Sequence, residues 1–239
     1  MFVLVALSYL ITIVAVGLFI VRLRELISLY KSQQPDPTRS GDRSARLKNM
    51  LKEVLGHTKM LNFTGTGIAH WFVMVGFGAL FGTLITAYGQ LIKPDFALPL
   101  IGHFIGYELF AEVIAALTGI GIVTLIAIRQ ATRFWHKGRT SRFLGSNSGR
   151  AYYVEATILA VVFCVIALRG LEGALAGEES YSLHYAISWP AVTFFSSWSA
   201  SSIETAIVVV ATAKILVSML WFIVIASKLT MGVAWHRFL

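Results

Sequence analysis

Apolar residues in this chain run in long unbroken blocks and do not alternate with polar ones. The longest lies between Lys59 and Lys93, a stretch without Lys, Arg, Asp or Glu. At about 1.5 Å per residue its central part, 65–90, exceeds the roughly 30 Å hydrocarbon core of a bilayer. Blocks of the same kind predict membrane spans at about 2–21, 66–91, 108–128, 152–169 and 205–227. The first continues as helix past Arg22 and Arg24 toward Tyr30. It lacks a basic leading segment and a small-residue cleavage site, so it reads as a retained helix and not as a secretory signal. SQQPDPTRSGDRS, 32–44, is a polar loop. Residues 45–61, ARLKNMLKEVLGHTKML, place Leu47, Met50, Leu51, Val54 and Leu55 on one face, the pattern of an amphipathic helix lying along a membrane surface. The segment 177–204 is too long and aromatic for a bare connector. It reads as a cap on the outer surface anchored by Trp189 and Trp198, with a re-entrant helix as the alternative.

Composition turns this pattern into a fold class. With 56% hydrophobic and 13% charged residues, the chain has too little charge to cover a soluble domain. The expectation is an all-α polytopic membrane bundle of five transmembrane helices, one domain over 1–239, with the lipid bilayer as its surroundings. A single cysteine, Cys164, excludes an intrachain disulfide and any cysteine-ligated iron–sulfur cluster built from this chain alone. The net charge of +8 does not indicate nucleic acid, because the basic residues sit between spans. Segments 22–62, 129–150 and 228–239 hold nine, six and two Lys/Arg, against one each in 92–107 and 169–204. The positive-inside rule then predicts an outer N-terminus, a cytoplasmic C-terminus and a cytoplasmic surface helix.

That orientation sorts the histidines. His57, His70, His136 and His236 fall on the cytoplasmic side, His103 and His184 on the outer side. His70 begins span 2 and His236 follows span 5, so the two meet at one membrane level if those spans are neighbours. Two imidazoles from different helices near one surface are what a bis-histidine haem b requires. The stripe sharing His70 runs through Met74, Phe77, Gly78 and Phe81; Gly78 removes bulk where a macrocycle would lie and Phe77 would pack on its edge. Gly78 and Gly82 also form a GxxxG, which by itself indicates close helix packing. An interhelical hydrogen bond of about 1 kcal/mol accounts for His70 equally well. His236, beside Arg237, reads also as an ordinary interfacial residue. His57 reads as part of the surface helix or as a fallback haem ligand, and His136 as a membrane-surface residue.

LGHTKML, then GIAHWFVMVGFGALFGTL, then a late SK…H across five spans resemble the haem-b membrane domains of the nitrate-reductase gamma type. The likeness is greater to those of heterodisulfide-reductase-related iron–sulfur oxidoreductases, in particular the membrane-bound electron-transfer flavoprotein dehydrogenase branch, and extends over nearly the whole chain. The resemblance implies axial ligation by His70, with Gly82 and Thr83 closing the motif, and by His236, although the spacing from Ser227-Lys228 to His236 is longer than the pattern. Two-haem relatives carry further histidines where this chain has Leu80 and Ser218, so one haem is expected; a second would have to recruit His57, His103 or His184. The resemblance further implies part of a bacterial plasma-membrane oxidoreductase linked to fatty-acid β-oxidation and respiration. In it, a cytoplasmic iron–sulfur module, beyond the C-terminus or on a partner chain, passes electrons from electron-transfer flavoprotein through haem b to menaquinone.

Lys214 lies near the midplane of span 5, where an unpaired ammonium is costly. It is expected to pair with Glu112 or Glu155, or to contact a haem propionate or the quinone, or to carry a proton. Glu108 and Glu112 suit the start of span 3 as ordinary helix-terminal acids. The competing functional class is a cofactor-free transporter or membrane anchor. A transporter would carry a discontinuous span or an internal repeat around a midplane site; the halves show no convincing repeat, and Lys214 is the one feature that favours this class.

Overall fold

The computed structural model describes residues 2–34, 36, 38, 41–135 and 148–228. Among these the chain is helical, without strands. Helix α1 is Phe2–Lys31, α2 Arg43–Val54, α3 Thr64–Ala79, α4 Phe81–Gln90, α5 Ile105–Trp135, α6 Ser148–Ala176, α7 Trp189–Phe195 and α8 Ala200–Ser227. Four of them, α1, α5, α6 and α8, are long and apolar enough to cross a membrane. The α3–α4 pair is long enough only when its two arms are taken together, and it bends by 40° at Leu80.

Helix directions alternate through the bundle. Thr118 on α5 donates to the carbonyl of Phe72 on α3 at 3.2 Å, and Gly121 of α5 lies against Ala69, so these two helices run antiparallel. Their closeness depends on glycine: a methyl at Gly76 would overlap Thr118, and one at Gly121 would meet the Ala69 carbonyl oxygen at 2.7 Å. In a bilayer, where burying apolar surface between helices gains little, such close backbone approach is a main source of association. The GxxxG expectation for Gly78 is corrected. A methyl there would meet nothing within 4 Å, while Gly82 faces the Tyr107 hydroxyl. Gly76, two residues earlier, makes the close crossing.

Helices α1 and α8 run parallel, from the layer of Leu4, Val5 and Ile207 to the edge-on Phe19–Phe222 pair, 5.0 Å between ring centroids. Helix α8 packs along α4 and α6, whereas α3 packs chiefly on α5. The bend at Leu80 therefore carries α3 away from α8, with Phe77 and Trp221 touching at the apex at 5.2 Å. Gly76, Gly78 and Gly82 each weaken helix by about 1 kcal/mol, and Thr83 caps its own local carbonyl, Leu80 O, at 2.6 Å. The break falls where helix propensity is lowest.

Two boundaries differ from the sequence expectation. The surface helix stops at Val54 instead of continuing to 61, and a 3₁₀ turn, Met60–Asn62, follows. Asp42 caps its start by accepting from the amides of Ser44 and Ala45 at 3.1 Å. The fourth span extends to Ala176, which brings Arg169 inside the helix. Gly177, at φ +76°, ends it in the left-handed conformation that glycine adopts without strain, with Glu178 N bonding to Gly173 O. The segment beyond is a cap: 3₁₀ turn Leu183–Tyr185 and α7 pack on α6, where Gly170 and Gly173 admit Ala191 and Val192.

Candidate functional site

Two polar centres lie at opposite ends of the bundle. At the α2 end, His57 and His70 are hydrogen-bonded, His57 Nε2 to His70 Nδ1 at 2.9 Å, with ring centroids 5.1 Å apart. The Val54 carbonyl lies 2.8 Å from His57 Nδ1. That bond fixes the imidazole, because a ring nitrogen donating to a carbonyl leaves the other as acceptor. Trp71 adds a second tie, its indole N–H donating to the Leu55 carbonyl at 2.8 Å. His57 itself sits at φ 51°, a left-handed conformation uncommon outside glycine, and is only 7% exposed. The expectation of His57 on the surface helix is therefore corrected: the helix has ended, and the side chain turns inward onto His70.

Were a haem held at this end, His70 would be the residue to hold it: on the same stripe Phe77 touches Trp221 of α8, and the bend parts α3 from α8 in a wedge beside the bare backbone of Gly78 and the exposed Phe81. His57 does not fit as the opposite axial ligand at its present spacing. An iron held at about 2 Å from each imidazole sets the two nitrogens about 4 Å apart, against the 2.9 Å hydrogen bond found. His236, expected opposite His70, and His136 lie outside the described residues.

Arg169 organises the other end. It reaches Glu172 at 2.6 Å, Glu112 and Glu108 each at 3.3 Å, and donates to the His184 carbonyl. The guanidinium also lies 4.6 Å above the centroid of Tyr185. Glu112, fully buried, accepts from the amides of Ile187 at 2.7 Å and Ser188 at 3.2 Å and from the Ser188 hydroxyl, while Glu108 bonds the His184 ring. Two buried carboxylates, Glu108 and Glu112, and the partly exposed Glu172 thus share one guanidinium and stitch the cap onto α5 and α6. Tyr185, outside the spans, has its phenol pushed up to about 12. Burial is the main cause, with the anionic Glu172 and Glu108 adding to it against the opposing pull of Arg169.

Beneath the cap lies a cavity of about 410 Å³. Lys214 lies at its inner end, 1% exposed, and its ammonium donates to the Thr83 carbonyl at 2.8 Å and hydroxyl at 2.7 Å. The expected pairing of Lys214 with Glu112 or Glu155 is corrected, since Glu112 is taken by Arg169 and the cap, and Glu155 by Arg129 at 3.0 Å. Nor do His70 and Lys214 share a site. Thr83 stands 13 residues after His70, roughly 20 Å along the helix at the standard rise.

The Arg169 hub was not anticipated. Its only local trace is two charged pairs at helical spacing, Glu108/Glu112 and Arg169/Glu172, each at the end of an apolar block. His103 is exposed at the cavity rim, and His184 is held by Glu108.

No family model matches the chain, and no curated protein or solved structure matches it significantly.

Proposed function

We propose that this chain is a haem-b electron-transfer domain of a membrane oxidoreductase, with His70 as one axial ligand and His236 as the other. The observation that carries the reading is the oriented His57–His70 pair, with His57 buried and His70 half-buried, at the start of the α3 stripe whose Phe77 touches Trp221. Haem b, when bound, supplies one-electron transfer within the membrane. The chain's part is to orient His70, through His57 and the Val54 carbonyl, and to keep the wedge dry with Phe77, Phe81 and Trp221. In this reading α3 and α4 together form one of five spans, the N-terminus is outside, and the α2 end faces the cytoplasm. A cytoplasmic iron–sulfur module would receive electrons from electron-transfer flavoprotein, and menaquinone would take them from the membrane domain. A reduced-minus-oxidised visible spectrum of the purified chain tests this directly. The sharp bands of six-coordinate haem b are expected, lost in His70→Ala and retained in His136→Ala; a wild-type spectrum without them rejects the proposal.

A cofactor-free carrier is the second reading, favoured by one observation. The α3–α4 span is broken within the apolar block, and the buried ammonium of Lys214 docks on the first turn after the break. Broken helices beside buried charge line substrate sites in many carriers.

A further inference from the structure

The cavity under the cap holds polar atoms that nothing among the described residues satisfies. Gln90 is fully buried; its amide N–H donates to Glu172, yet its carbonyl oxygen has no partner among the described residues. The Tyr107 hydroxyl is likewise buried and unpartnered. Lys214 has three donors, and its bonds go to a single residue, Thr83. All three side chains line the same space. Leaving a buried donor or acceptor unmade costs about 1–3 kcal/mol each, so Gln90 and Tyr107 retain two such sites for an occupant, beside an ammonium with a donor to spare.

Their chemistry describes that occupant. Lys214 and Tyr107 offer two donors, one of them cationic, which suits the two oxygens of a carboxylate. Gln90 offers an unmade acceptor, and Glu172, already bonded to Gln90 and Arg169, keeps lone pairs beyond those bonds, which suits an ammonium. A simple anion would meet Glu172 and Glu108, and a simple cation would meet Lys214 and Arg169, so a ligand bearing one charge is opposed at one pole. The remaining wall is apolar, built by Val165, Leu168 and Leu175. The rim carries the exposed Asp95, His103 and Glu204, which marks a mouth toward water. The volume is of the order that small-molecule sites have, a few hundred Å³.

We propose that this cavity is a binding site for a small zwitterion, an α-amino acid with an apolar side chain. Its carboxylate is held by Lys214 and Tyr107, its ammonium by Gln90 and Glu172, and its side chain by the Val165–Leu168–Leu175 wall. The site needs no haem, because His70 lies on the other arm of the bent span.

The test is equilibrium binding of radiolabelled L-leucine to the full chain in lipid nanodiscs. Saturable binding is expected, competed by unlabelled leucine and not by isoamylamine or isocaproate, which carry one pole each. Tyr107→Phe, which removes only the hydroxyl, should weaken it about tenfold. Lys214→Met should abolish it, and Lys52→Ala, on the exposed helix α2, should leave it unchanged. Thermal unfolding of each variant shows that it is folded. No saturable binding to folded wild-type protein up to about 10 mM leucine overturns the proposal. So does leucine binding that Tyr107→Phe and Lys214→Met leave intact, or a cavity that takes menadione and not leucine.

Discussion

Lys214 and Thr83, 131 residues apart, are joined twice: the ammonium donates to the Thr83 carbonyl at 2.8 Å and to its hydroxyl at 2.7 Å. The contact fastens α8 to the first turn after the break in the α3–α4 span. A buried ammonium is tolerated there because a helix that has just restarted presents a carbonyl and a hydroxyl together. The alternative, an ion pair, would have needed a carboxylate that the bundle commits elsewhere.

Removing the two partners should therefore have unequal effects. Thr83→Val keeps the carbonyl but removes the hydroxyl, leaving the buried ammonium with one of its two bonds, and should destabilise by about 1–3 kcal/mol. Lys214→Met removes the charge with its cost and should be neutral or stabilising by about 1–4 kcal/mol. The double variant should behave like Lys214→Met alone. Thermal unfolding in detergent reads all three, and equal losses in the two single variants would refute this account of the contact.

Glu112 should hold the cap as well as neutralise Arg169. In Glu112→Ala the amides of Ile187 and Ser188 lose their acceptor, and hydrogen exchange at these positions should accelerate by at least tenfold, about 1.4 kcal/mol of lost protection. The exposed Glu204, which makes no such bond, provides the control: Glu204→Ala should leave exchange in 183–195 unchanged. Arg169→Gln, which leaves the buried Glu108 and Glu112 and the partly exposed Glu172 without their cation, should cost about 3–5 kcal/mol.

Two glycines two residues apart should respond oppositely to alanine. At Gly76 a methyl overlaps Thr118, so α3 and α5 must part; a loss of about 1–3 kcal/mol is expected. At Gly78 it meets nothing, and the gain in helix propensity is up to about 1 kcal/mol. If the α3–α8 wedge is a haem slot, Gly78→Ala should also lower haem occupancy, as measured by the ratio of Soret to protein absorbance. Unchanged occupancy would place the macrocycle elsewhere.

Tyr185 makes the fold sensitive to alkali. Its pKa in the folded protein is raised to about 12, so the neutral phenol is the form the fold prefers. The associated stability is present in full below the unfolded-state value of about 10 and is lost as pH rises from there through about 12. The unfolding midpoint should fall over that window in the wild type and fall less in Tyr185→Phe. Identical profiles for the two proteins would exclude Tyr185 as the source.

Hydropathy alone located the apolar blocks, and the continuation of the first helix beyond Arg24 was equally legible. These depend on local sums: each residue's transfer free energy adds to its neighbours', whatever the rest of the chain does. Helical spacing also put Phe77 on the His70 stripe, which in the fold reaches Trp221. What the residues near His57 did not disclose is that α2 stops at Val54, so that a left-handed turn sends the imidazole inward. Nor did local charge reveal that Arg169 serves Glu108, Glu112 and Glu172 together, or that Lys214 turns to Thr83 and not to a carboxylate. Those pairings depend on how each helix is rotated about its axis and where the span bends, and both follow from packing at Gly76, Gly121, Gly170 and Gly173. Which residues are apolar enough for a membrane is a property of the sequence. Which polar groups then meet in its interior is decided only when the helices close on one another, because every buried donor must take the acceptor that packing brings within reach.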